Sequence, residues 1–289
     1  TIARDPASWM ARNNLAVLLL PSDPAGALAH LDTALLANPA YPEAHNNRGL
    51  ALQLLERFAE AEAAHAEAVR LEPGFADAHN NRGTALQKLN RQEDAEAAYR
   101  EALRLRPASV QARVNLANVL LEQGATADAV EHYRAALAAK PDLADVHFTL
   151  GVALERLGRP DEARAEYEAT LRLQPSAADA RSRLGAIAEA AGRLDEAVGH
   201  YDAWARMAPD SAEAFMALGN ARYQQGDFAG AAVDYESAVR LDPGSAEARN
   251  NYGAALERLG RVGEAAAQYA EAVRLAPDST SARANLART

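Results

Sequence analysis

The chain has 289 residues, 49% hydrophobic and 6% aromatic, with a formal net charge of -10 at pH 7. Scarce β-branched and aromatic residues argue against a sheet-rich fold, and no apolar run approaches the roughly 18 residues of a membrane span. An acidic chain lacks the clustered positive charge that phosphate recognition needs, and a chain without cysteine has no disulfide, zinc-thiolate or thiol chemistry.

In chain order, residues 1–8 read as the tail of a repeat and do not form a signal peptide, which together with the missing cysteine fits a cytoplasmic protein. A repeating unit then begins. Its first copy, 9–41, is one residue short and carries Pro21 and Pro24 in its turn; copies follow at 42–75, 76–109, 110–143, 144–177, 178–211, 212–245 and 246–279, and 280–289 is the start of another. Pro39, Pro73, Pro107, Pro141, Pro175, Pro209, Pro243 and Pro277 lie 34 residues apart, and so do Ala27, Ala61, Ala95, Ala129, Ala163, Ala197, Ala231 and Ala265. A small column holds Gly49, Gly83, Ala117, Gly151, Gly185, Gly219 and Gly253. An aromatic column holds Tyr99, Tyr133, Tyr167, Tyr201, Tyr235 and Tyr269, with Leu31 and His65 ahead of it.

Within one unit, Tyr252, Gly253, Leu256 and Leu259 fall on one face of a helix, Gly260 follows as a left-handed cap, and Ala265, Tyr269 and Ala272 line a second helix that Pro277 closes. Each unit is therefore expected to be an antiparallel helix pair. This pattern of small residue, alanine, aromatic, alanine and proline resembles the tetratricopeptide repeat family over essentially all of 1–289. The resemblance implies an all-α, right-handed solenoid superhelix of about eight and a half repeats in one array, with the first helix of each pair lining a concave groove.

The polar columns of the first helices are the candidate site. Asn14, Asn47, Asn81, Asn115, Asn251 and Asn285 share one column; Asn13, Asn46, Asn80 and Asn250 share the next; Asn118 and Asn220 lie one turn further along. Asparagine is a poor mid-helix residue, and its amide matches both groups of a peptide bond. The first column is similar to the asparagine ladder in the repeat region of O-linked N-acetylglucosamine transferases, which implies a groove that grips an extended peptide by its backbone. The alternative is a solvated inner face copied by duplication. The column breaks at Thr149, Arg183 and Ala217, where Phe148, Ser182, Met216 and Val114 join them in an apolar patch around one arginine. Such residues are either an anchor site giving sequence preference or ordinary exposed side chains.

Acids at Glu43, Asp77, Asp145, Asp179, Glu213 and Glu247 suit helix N-termini and argue against the basic carboxylate clamp of chaperone-adaptor relatives. Lys88 and Lys140 are the only lysines, and the arginine excess is either compositional or a means of reading carbonyls and carboxylates. The histidines (His45, His79 and His147 in one column, His30, His132 and His200 in another) read as packing residues, and neither a metal site, a cofactor nor a catalytic motif is expected. Three roles remain: a scaffold for a peptide or protein segment, the substrate-recruiting arm of a larger enzyme such as a bacterial glycosyltransferase relative, or an assembly that self-associates through uncapped ends such as the one at Leu286. The expected partners include neither nucleic acid nor a membrane.

Overall fold

The structure, a computed structural model, describes residues 8–289, so the repeat tail expected at 1–8 lies, but for Ser8, outside the described residues. These residues form seventeen helices and no strand. The helices come in pairs: α1 (Trp9–Leu19) with α2 (Pro24–Ala37), α3 (Pro42–Leu54) with α4 (Phe58–Leu71), α5 (Ala76–Lys88) with α6 (Gln92–Leu105), and α7 (Val110–Glu122) with α8 (Thr126–Ala139). Then follow α9 (Ala144–Arg156) and α10 (Pro160–Leu173), α11 (Ala178–Ala190) and α12 (Leu194–Met207), α13 (Ala212–Gln225) and α14 (Phe228–Leu241), α15 (Ala246–Arg258) and α16 (Val262–Leu275), and the single α17 (Thr280–Arg288). The chain divides into two compact units, one running to Val146 and the other starting at His147. Within each unit the second helix of one pair packs on the first helix of the next, and successive first helices lie side by side, α1 on α3, α3 on α5 and α5 on α7, then α13 on α15 and α15 on α17.

From the second pair on, the turn inside each pair reverses the chain through one left-handed residue; the shorter first turn, with Pro21, has none. Gly124, Gly158, Gly192, Gly226 and Gly260 have φ between +69° and +89°, while Glu56 and Asn90 hold the same place with φ of 58° and 59°. The following N–H bonds back across the turn, as Arg57 to the Leu52 carbonyl at 2.9 Å and Arg159 to that of Leu154 at 2.9 Å, which closes the first helix. The turn also ends the apolar stripe one residue earlier than its spacing suggests. Leu256 is buried, but Leu259 sits on the cap and is exposed, because the helix has already stopped at Arg258.

The small column on the first helix exists to admit the aromatic ring of the second. A Cβ built on Gly83 would lie 2.6 Å from the Tyr99 ring, and the same holds for Gly151 with Tyr167, Gly219 with Tyr235 and Gly49 with His65 at 2.4–2.7 Å. The glycines are thus filled directly by rings rather than serving only to bring two backbones together. Tyr99, Tyr133, Tyr167 and Tyr269 are fully buried. Trp204 enters one buried cluster with Ala188, so the large residue occupies volume that Leu154 or Leu256 fills in other repeats. The arginines of the leucine column reach acids of the preceding helix, Arg48 to Asp32 at 2.7 Å and Arg82 to Glu62 at 2.8 Å.

Helix entry is tied down in two ways. Ser109, Ser211, Ser245 and Ser279 accept the N–H three residues on, at 3.1–3.3 Å. In several repeats a donor six residues past the proline bonds its carbonyl: His45 to Pro39 at 2.8 Å, His79 to Pro73 at 3.0 Å, Arg113 to Pro107 at 2.6 Å. Those two histidines therefore bind backbone, and no group of metal-ligating side chains occurs among the described residues.

Candidate peptide-binding face

The first helices place the asparagines where the sequence pattern puts them, and the side chains bond to one another between repeats. Asn47 Nδ2 donates to Asn13 Oδ1 at 2.9 Å, Asn81 to Asn46 at 3.0 Å, Asn115 to Asn80 at 3.0 Å, and Asn285 to Asn250 at 2.9 Å. Each of these four first-column amides is thus tied to the second-column amide of the preceding repeat. Asn13 and Asn46 are buried; Asn47, Asn80, Asn81 and Asn115 are half-buried; Asn14 is exposed. In the interior of a stack such a bond contributes about 1 kcal/mol, and leaving its buried partner bare costs more.

This pairing accounts for the break in the column. A second-column asparagine is present wherever the next repeat offers a first-column asparagine, and where Val114, Phe148 and Ser182 stand instead, the following repeat has Thr149, Arg183 and Ala217. Asn251 is the informative exception. The position behind it is Met216, and its amide turns to Asn220 Oδ1 at 3.3 Å.

Asn118 and Asn220 do a second task. The Tyr133 hydroxyl donates to Asn118 at 2.6 Å and that of Tyr235 to Asn220 at 2.8 Å. In other repeats the same hydroxyl finds a glutamate or glutamine twelve residues earlier: Tyr99 with Gln87, Tyr167 with Glu155, Tyr201 with Glu189, Tyr269 with Glu257. Leu121 and Tyr223 occupy that place in the two repeats that carry the asparagine, so the polar partner has moved to a neighbouring position. Burial pushes the Tyr99 hydroxyl up to about 12.

The residues of the expected apolar patch are anchored in the core more than displayed. Phe148 packs its ring on Tyr167 with centroids 5.5 Å apart, and Met216 packs against the cluster containing Tyr235 and Tyr252. Arg183 is exposed, 3.7 Å from Glu155. Val114 lines a cavity of about 540 Å³ within the first unit, beside Lys140 and Asp145. In the second unit a trough runs between α13 and α15: a cavity of about 380 Å³ over Met216 and Ala217 meets one of about 270 Å³ lined by Tyr223, Gln224 and Asn251, with Asn220 shared by both. Tyr223 and Gln224 were absent from the sequence-derived candidates because neither residue type recurs at its position in the neighbouring repeats.

A family model for the tetratricopeptide repeat matches residues 22–76, 80–144, 148–212 and 216–280. The chain belongs to the tetratricopeptide repeat family. No curated protein matches it significantly. Among solved structures, PilW, a widely conserved type IV pilus biogenesis factor, is 22% identical with a TM-score of 0.63, over 73% of this chain and 97% of that one. PilF of Pseudomonas aeruginosa is 21% identical with a TM-score of 0.58, covering 74% and 97%. A tetratricopeptide repeat protein of Parabacteroides merdae is 18% identical with a TM-score of 0.58, covering 85% and 97%. At these identities the likeness establishes the fold. Repeats of this family serve as scaffolds for protein–protein interaction. No helix among the described residues is long and apolar enough to cross a membrane.

Proposed function

We propose that the chain is a non-catalytic scaffold that binds an extended peptide or protein segment along its first-helix face, with the first-column asparagines as backbone readers. The observation that carries this reading is the geometry of Asn47, Asn81 and Asn115. One amide N–H of each is committed to the preceding repeat at 2.9–3.0 Å. That bond fixes the side chain in one orientation and leaves a second N–H to receive a peptide carbonyl. Asn47 in addition keeps its carbonyl oxygen clear of any protein donor. Side chains already ordered in the free protein lose less entropy on binding than mobile ones.

The test is capture of peptides from a random displayed library by the wild-type chain and two triple variants. One is Asn47→Ala, Asn81→Ala, Asn115→Ala, which removes the readers. The other is Asn13→Ala, Asn46→Ala, Asn80→Ala, which removes the bonds behind them and leaves the readers in place. With helicity retained in both by circular dichroism, the reading expects capture to be lost in the first and reduced in the second. Equal capture by all three proteins, or an equal loss in both variants, shows that the asparagines only hold repeats together.

A further inference from the structure

The turn end of the fifth and sixth repeats lacks a contact that two other junctions of the second unit make. Glu155, Glu189 and Glu257 occupy one position, and each accepts the hydroxyl of its own repeat's tyrosine. At Glu189 the following repeat adds a second donor: Gln224 Nε2 reaches Glu189 Oε1 at 2.5 Å, and its neighbour Gln225 bonds Asp195 at the start of α12. At Glu257 the second donor is an arginine, Arg288, with Nη2 3.0 Å from Oε2 and Nε 3.3 Å from Oε1.

Glu155 and Asp161 are the counterparts of Glu189 and Asp195, but the residues at the positions of Gln224 and Gln225 are Ala190 and Ala191. Neither alanine has an atom to donate. Asp161 is exposed and makes no ion pair, and the guanidinium of Arg183 stands 3.7 Å from the Glu155 oxygen that Tyr167 already uses. In place of the missing side chains there is a cavity of about 490 Å³. Its floor is apolar, formed by Ala186, Ile187, Ala190 and Ala191; Glu155 and Asp161 stand at its rim. Arg193 also lines it, with Nε held by Glu196 at 2.8 Å and Nη2 enclosed without a partner.

We propose that this socket receives an arginine side chain of a partner protein. The chain itself supplies a template, since Arg288 bonds Glu257, the counterpart of Glu155, three junctions further along. A guanidinium has five donors in a planar fork, enough to bridge two carboxylates, and its stem is apolar enough to lie on the alanines and Ile187. The charge of Arg193 is answered by Glu196, and its enclosed Nη2 is placed to donate to a main-chain carbonyl of the segment that brings the arginine. The socket lies at the helix-turn edge, apart from the asparagine face, so it stands or falls independently of the peptide reading above.

Ile187 is one of two isoleucines in the chain, the other being Ile2, so its δ1 methyl is a well-separated NMR reporter inside the cavity. Titrating the full chain with N-acetyl-argininamide is expected to shift that methyl saturably. N-acetyl-norleucinamide, which keeps the stem and lacks the donors, is expected to bind about tenfold more weakly or less. The variant Ala190→Gln, Ala191→Gln refills the socket as the next repeat does and abolishes the shift. Glu155→Gln with Asp161→Asn, a nearly isosteric pair, weakens it by a similar factor and serves if the first variant does not fold. A methyl that does not respond saturably, an equal response to the two amides, or an undiminished response in the refilled chain overturns the proposal.

Discussion

Protonation of His65 tests the packing account most directly. The imidazole is completely buried over Gly49, its Nδ1 is 3.0 Å from Asn46 Oδ1, and its Nε2 is enclosed with no partner. The neutral ring with its proton on Nδ1 satisfies this environment; a second proton places a charge against apolar neighbours, within the field of Arg82. Burial first, and then Arg82, lower its pKa from 6.5 to about 3. Above pH 6.5 both folded and unfolded chains are neutral at this residue, and it adds no pH dependence. As pH falls below 6.5 the unfolded chain takes up a proton that the folded chain refuses, so stability is lost steadily until about pH 3. At 1.36 kcal/mol per pH unit the loss is roughly 3 kcal/mol by about pH 4.5 and about 5 kcal/mol at the limit.

The comparison variant is His65→Tyr, which restores the residue of the other repeats and places a hydroxyl near Gln53, as Tyr99 is placed near Gln87. Thermal melts of both proteins between about pH 7 and pH 4.5 are expected to diverge, the wild type falling more steeply because carboxylate titration is common to the two. The histidine Cε1 resonance followed by NMR gives the direct reading. A His65 signal that titrates near 6.5 while the helices remain folded refutes the account of a neutral, closed site.

Three other outcomes follow from the same geometry. Gly83→Ala gains about 1 kcal/mol of helix propensity but drives a methyl to 2.6 Å from the Tyr99 ring, so a net loss of roughly 1–2 kcal/mol is expected in chemical denaturation. Glu56→Gly relieves a left-handed backbone at φ 58° and is expected to raise the melting temperature, with a gain of about 1 kcal/mol less the added freedom of the unfolded chain. Asp234, buried and 2.7 Å from Arg222, has its carboxyl pushed up to about 6 by burial, against the opposing pull of Arg222. The folded chain holds that proton more tightly than the unfolded one, so stability declines as pH rises from about 4 to 6 and is flat above, and Asp234→Asn is expected to remove this dependence from pH-resolved melts.

The asparagines show how much of the site was open to inspection in the residue order. Their two columns, and the helices that carry them, follow from the 34-residue period alone. The relation between the columns was also written there, since an asparagine at 13, 46, 80 or 250 always precedes one at 47, 81, 115 or 285, but a residue pairs with a position a whole repeat away only once the stacking is known. The acceptor role of Asn118 and Asn220 was hidden for the same reason: it depends on a tyrosine fifteen residues later.

Residue order by itself determined the helix pairs, their turns and the buried rings, because those depend on local propensity, the forced reversal at proline and glycine, and a periodicity that repeats eight times. Tertiary structure decided which polar side chains are spoken for. Hydrogen bonds require atoms within about 3 Å, and whether Asn47 meets Asn13, or Ala190 leaves Glu155 without the amide donor that Gln224 gives Glu189, is set by how one repeat seats on another.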